Sequence, residues 1–117
     1  MAHDILIVDD EADICMLIGG ILQDEGYTTA ICGKWHLGHF ERAYLPTSRG
    51  FSHQYGHYNG ALDYFTHQRD GGFDWHRNDQ VCRDEGYTTK LIGDEAVKLV
   101  EQHDAAIGDA EVLQVRI

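Results

Sequence analysis

A run of four apolar residues, Ile5-Leu6-Ile7-Val8, followed by Asp9-Asp10-Glu11 and a stretch of helical periodicity, narrows the choice of fold more than any other feature. Four consecutive apolar side chains suit a strand covered on both faces, the habit of parallel sheets. Over residues 12–23, Cys15, Ile18 and Leu22 recur beside Ile14, Leu17 and Ile21 at three- and four-residue spacing, which predicts a helix with an apolar stripe. Gly19 and Gly20 weaken that helix but permit a close approach to a sheet. Gly26 is placed to stop it. Residues 28–32, Thr-Thr-Ala-Ile-Cys, supply a second strand, so a β-α-β unit closes within the first third of the chain. A second helix is expected from Thr88 or Thr89 to about Gln102, with Leu91, Ile92, Ala96, Leu99 and Val100 as its apolar face. Residues 104–109 read as a loop. Residues 111–117 alternate, with Leu113, Val115 and Ile117 on one side, the pattern of a half-wet strand at a sheet edge. The expected fold is therefore α/β: one domain over residues 1–117, a small, largely parallel sheet of about three strands, and two helices.

Residues 39–87 carry little periodicity and are rich in Gly, His and aromatic residues. So long a connection without order is unusual in a compact domain, so part of it is expected to be ordered or functional. Its best local signal is a hairpin: residues 63–67, a turn at Asp70-Gly71-Gly72, then residues 73–77. Its aromatics include Tyr55, Tyr58, Phe65 and Trp75, which are expected to lack a surface to cover if this segment is an insertion cut off from the rest of a larger enzyme. The hexapeptide Asp24-Glu25-Gly26-Tyr27-Thr28-Thr29 recurs letter for letter at residues 84–89. Its flanks differ, so the first copy should close a helix and open a strand, the second should open a helix, and no structural repeat is implied.

Chemistry concentrates in Ile31-Cys-Gly-Lys-Trp-His-Leu-Gly-His39. If the strand continues, Lys34 and His36 are two residues apart and share a face. An ammonium and an imidazole pointing into one space suit a tetrahedral anion or the leaving oxygen of an ester; a solvated lysine beside a hydrogen-bonded histidine is the plainer alternative. The pairs His36/His39 and His53/His57 do not specify a zinc site, and no Cys-x-x-Cys spacing joins them. The odd count of three cysteines reads as reduced thiols and a cytoplasmic chain. Neither a signal peptide nor a membrane-spanning run is expected from these residues. The 20 acidic against 9 basic residues give a formal charge of −11, which argues against nucleic acid.

Gly33-Lys34-Trp35-His36-Leu37-Gly38 resembles the second signature of the type I sulfatases, in the alkaline-phosphatase-like superfamily. The likeness continues through Leu45-Pro46-Thr47-Ser48-Arg49-Gly50-Phe51, Tyr55-Gly56-His57-Tyr58, Gly60-Ala61-Leu62-Asp63-Tyr64-Phe65-Thr66-His67, Asp74-Trp75-His76-Arg77-Asn78-Asp79 and Leu91-Ile92-Gly93-Asp94-Glu95-Ala96, about residues 27–103. The resemblance implies a sulfuric-ester hydrolase, with Lys34 and His36 as catalytic residues, a sulfate ester or other small anion as ligand, and Ca²⁺ or Mg²⁺ as cofactor. It also implies a two-domain enzyme several times this length, often exported, so the lack of a leader suggests an incomplete or altered N-terminus. The family's nucleophile, a formylglycine made in Cys-x-Pro/Ala-x-Arg, has no counterpart at Cys15, Cys32 or Cys82. Its later Asp-Asn metal ligands and second sulfate-binding lysine are missing too. Loss of an attacking group removes most of the rate.

Residues 1–30 resemble the start of a two-component receiver domain: apolar strand, Asp9-Asp10, Glu-Ala-Asp, then an amphipathic helix. Both families place a metal at the pair matching Asp9 and Asp10, and carboxylates at a strand tip suit a hard cation. The same residues also suit a helix cap. The phosphoacceptor aspartate that a receiver needs near residue 50 is replaced by Phe51-Ser52-His53-Gln54, and its later switch residues are lacking. The sequence thus reads as a hybrid joined near residues 24–30.

Overall fold

The computed structural model describes residues 5–7, 12–102 and 111–116, with side chains over residues 17–102. Strand β1 (Ile5–Ile7) leads into helix α1 (Ala12–Asp24) and strand β2 (Thr28–Lys34). Two short 3-10 turns, Arg42–Tyr44 and Pro46–Ser48, precede strand β3 (His53–His57). Four two-residue strands come next: β4 (Gln68–Arg69), β5 (Gly72–Phe73), β6 (His76–Arg77) and β7 (Gln80–Val81). Helix α2 (Thr88–Gln102) and strand β8 (Glu111–Arg116) complete the order.

Six strands form one sheet in the order β1-β8-β2-β3-β6-β7, and β4 pairs with β5 apart from it. The first four are mutually parallel, whereas β6 and β7 extend the sheet antiparallel. The α/β expectation holds, but the sheet is mixed and larger than the three strands expected. The reason is local: the turn at Asn78, whose φ is +58, folds residues 76–81 into a hairpin too short to carry an alternation signal. Strand β8 is not at an edge. It lies between β1 and β2, with Leu113 paired to Leu6 on one side and to Ala30 on the other. The β-α-β unit exists, but its two strands flank β8 instead of each other. Val8, the loop expected at residues 104–109, and Ile117 fall outside the described residues.

Side chains of β2 alternate between two cores. Ala30 and Cys32 pack with Tyr55, Trp75 and Ile92 of α2, flanked by Leu91, Ala96 and Leu99. Ile31 packs on the other side with Trp35, Leu45, Phe51 and Tyr58. Each large apolar side chain so buried contributes about 1.5–3 kcal/mol. The aromatics of the insertion therefore do find a surface. Of the four named, Tyr55, Tyr58 and Trp75 are core residues and Phe65, 73% exposed, stands clear, as does Phe40 at 90%. Val100 also departs from expectation, being exposed, and Glu95 is buried on α2 beside the apolar face. Of the stripe on α1, Leu17, Ile18 and Ile21 are exposed and Leu22 is half-buried, while Gly19 is buried; the side chains of Ile14 and Cys15 lie outside the described residues.

The expected hairpin forms, displaced toward its turn. Asp70 and Gly71, with φ of +50 and +80, join β4 to β5. Residues 63–67 instead make a turn in which the Asp63 carboxylate accepts the Phe65 and Thr66 amides at 2.8 Å each.

The repeated hexapeptide takes two conformations, as its flanks predict. In the first copy the Tyr27 amide donates to Leu22 O at 3.0 Å and Gly26 has φ +92, a helix stop that releases the chain into β2. In the second, Thr88 donates both its amide and its hydroxyl to Tyr64 O at 2.9 Å and opens α2. Context decides between two uses of one sequence.

Candidate functional site

Strand register sets the frame of the site. Ile7 and Ile31 are both paired with Gln114, so the carboxyl ends of β1 and β2 face one edge of the sheet. Lys34 is the last residue of β2, partly buried and paired with His57. Its neighbour Trp35 anchors the loop that leaves the strand. The Trp35 amide donates to His57 O at 2.9 Å. Its buried indole donates from Nε1 to Gly38 O at 3.1 Å and to Tyr44 O at 3.0 Å, and meets Phe51 edge-on at 5.9 Å.

The extended backbone assumed for the Lys34/His36 pair stops there. His36 has φ +57, in the left-handed region, while its amide donates to Tyr58 O at 2.8 Å. Strand alternation thus does not put Lys34 and His36 on one face. The exposed His36 ring instead rests on Gly60, where a Cβ would stand 2.7 Å from Cε1 and 2.8 Å from Nε2. A non-glycine residue held at positive φ costs about 1–2 kcal/mol. His36→Gly is therefore expected to be more stable than His36→Ala by about 1 kcal/mol in urea denaturation.

Asp9 and Asp10 lie outside the described residues. Among the described residues, no group of three or more His, Cys, Asp or Glu is placed to hold a metal ion. His53 and His57 open and close β3. His53 bonds Glu95 at 3.0 Å, and His57 donates Nδ1 to Asn59 O at 2.8 Å. The carboxyl end of β3 presents His57-Tyr58-Asn59, with no carboxylate at the strand tip.

Beside this edge lies a second group that sequence reasoning did not single out. Asp74 is buried and takes four donors. Oδ1 accepts the Tyr58 amide at 2.9 Å and His76 Nε2 at 3.0 Å; Oδ2 accepts Asn59 N at 3.0 Å and Asn59 Nδ2 at 2.9 Å. Burial pushes its carboxyl upward, but the His76 bond and the amide donors outweigh burial and hold it well below the usual carboxylate range. His76 stacks on Tyr58 with ring centroids 3.7 Å apart. The Tyr58 hydroxyl donates to Asn78 O at 2.6 Å, and burial, with Asp79 and Asp74 nearby, pushes it up to about 12. An Asp-x-His spacing on an extended segment places both side chains on one face, the signal that could have found this pair.

The sulfatase family model matches residues 3–107 of the chain. Arylsulfatase J of Mus musculus is 33% identical over 91 residues, which are 71% of this chain and 15% of that protein. The nitrogen assimilation regulatory protein NtrX of Azorhizobium caulinodans is 75% identical over 28 residues, 24% of this chain and 6% of that one. Among solved structures, Ps i-CgsB superimposes with a TM-score of 0.68 at 24% identity, over 85% of this chain and 25% of that one. The chain thus spans a small part of the proteins it matches, and the structural likeness bears on fold alone.

Proposed function

The chain belongs to the sulfatase family, and from that premise we propose that it is a partial sulfuric-ester hydrolase that keeps an anion and divalent-cation subsite without its own nucleophile. In this reading Lys34 neutralises charge on the sulfate oxygens and His36 protonates the departing ester oxygen. Asp9 and Asp10 would hold Ca²⁺ or Mg²⁺, a choice that suits hard carboxylate oxygens. The cation, when bound, would draw charge from the sulfate oxygens. The observation that carries the reading is the parallel register, which brings the carboxyl ends of β1 and β2 to one edge, with Lys34 closing β2 and His36 just beyond it.

None of Cys15, Cys32 or Cys82 stands in the Cys-x-Pro/Ala-x-Arg context. An aryl-sulfate assay with Ca²⁺ is therefore expected to give no turnover above buffer. Turnover that disappears in Lys34→Ala would overturn the missing nucleophile while keeping the family chemistry. The anion subsite has its own readout. Inorganic sulfate should move the His36 imidazole resonance in NMR, and Lys34→Ala should abolish that movement. An unmoved His36 in the parent chain sinks the subsite.

The match to NtrX favours a second reading for the N-terminal third, a degenerate receiver that binds Mg²⁺ and signals by contact without accepting phosphate. Incubation with acetyl phosphate should leave no labile acyl phosphate. Its appearance would reveal an acceptor carboxylate and reverse the claim.

A further inference from the structure

We propose that the cleft lined by His39, Tyr58, Arg69, Phe73, Asp74 and His76 is a second anion site, for a tetrahedral oxyanion. The cleft encloses about 370 Å³ and opens beside the hairpin of β4 and β5. That volume is of the order of small-ligand sites. The site is independent of whether Lys34 and His36 act on an ester.

Three lining groups carry or can carry positive charge. Arg69 is 41% exposed, and its contacts to Ala61 O at 3.4 Å and Asp70 Oδ2 at 3.6 Å are both loose. Charge-assisted bonds of a committed guanidinium are shorter, about 2.7–2.9 Å. Asp70 is itself 91% exposed and solvated, so water competes for it. An incoming oxyanion would offer the fork two oxygens in one plane.

His76 is held in place from both sides, by the Asp74 bond at its Nε2 and by the Tyr58 ring at 3.7 Å. Its other nitrogen, Nδ1, donates when the ring is protonated. The His39 ring centroid is 6.5 Å from that of Tyr58, and the ring stacks on Phe40 at 4.5 Å. The one carboxylate in the lining, Asp74, opposes an anion less than its formal charge suggests. Four N–H donors already surround it, and a protonated His76 would offset its charge.

The test is an imidazole ¹H–¹⁵N titration of the whole chain with inorganic sulfate, and separately with inorganic phosphate, near the ordinary histidine pKa of about 6.5. His39 and His76 should shift along one saturable curve. Arg69→Gln should weaken that curve by about tenfold, the loss of one charge-assisted contact. His39→Gln, in an open loop, is the second variant should the hairpin be disturbed by the first. Lys34→Ala should leave the curve unchanged. Absence of saturable shifts, or affinities unchanged in both cleft variants, overturns the proposal. A response confined to His36 and lost in Lys34→Ala would overturn it while leaving the reading of the β2 edge intact.

Discussion

Gly56→Ala is expected to destabilise the fold by at least about 3 kcal/mol, lowering the thermal midpoint by roughly 12 °C or more or removing a cooperative transition. Two effects add. Gly56 has φ +143, a conformation that L side chains rarely adopt. Its position is also blocked, since a Cβ there would stand 2.3 Å from Gly33 O, 2.8 Å from Gly33 N and 2.9 Å from Gly33 C. Those atoms belong to backbone and cannot rotate away. Gly33 and Gly56 are register partners in the parallel pair β2/β3, so relief requires the two strands to part just below Lys34 and His57. A domain of this size has only about 5–15 kcal/mol in hand. Gly93→Ala is the internal control. It lies in α2 with nothing within 4 Å of its added Cβ, and should stabilise by about 0.5–1 kcal/mol. If circular-dichroism melts show the two variants alike, the strand contact is not what holds this edge together.

That glycine pair marks the boundary of what the sequence discloses. Local signals give α1, α2 and β2 within two residues, because each rests on periodicity and capping inside one segment. The order of strands does not emerge from such signals. Residues 111–116 alternate like an edge strand yet sit between β1 and β2, since the return of the chain after α2 is a nonlocal choice. Gly33 facing Gly56 depends likewise on a register that neither segment reveals alone. At the site, Lys34 and His36 are legible as a motif, but strand alternation is not what sets their positions. Trp35 and Gly60 do so, through an anchored indole and a seat only glycine leaves open. Asp74 and His76 are readable from spacing. The donors from Tyr58 and Asn59, sixteen and fifteen residues away, are not.

Glu95 carries the other large expected effect. It is 5% exposed, on the face of α2 turned toward the sheet. Arg77 grips it with two guanidinium nitrogens, Nη1 to Oε2 at 2.6 Å and Nη2 to Oε1 at 3.3 Å. His53 Nε2 meets Oε2 at 3.0 Å, and Lys98 approaches to 3.8 Å. Arg77 is further placed by the Tyr55 ring, 4.4 Å beneath its guanidinium. Removing one partner of a buried ion pair strands the other, at about 3–5 kcal/mol. Since Arg77 is 35% exposed and His53 remains, Arg77→Ala should fall at the lower end, about 3 kcal/mol at neutral pH. The pH dependence has a definite sign. Burial raises the Glu95 carboxyl, but the Arg77 bonds outweigh it and leave the group below its ordinary value. A depressed carboxylate contributes stability that is complete above its unfolded pKa, about 4.3, and is lost as pH falls through the lower folded value. Asp74 and Asp84 shift the same way, so the parent chain alone does not isolate Glu95. The difference between the parent and Glu95→Gln does: in urea titrations it should shrink as pH falls below about 5, through the range where the Glu95 carboxylate takes up its proton. A difference that stays flat into acid would mean that Glu95 acts through packing rather than through its charge.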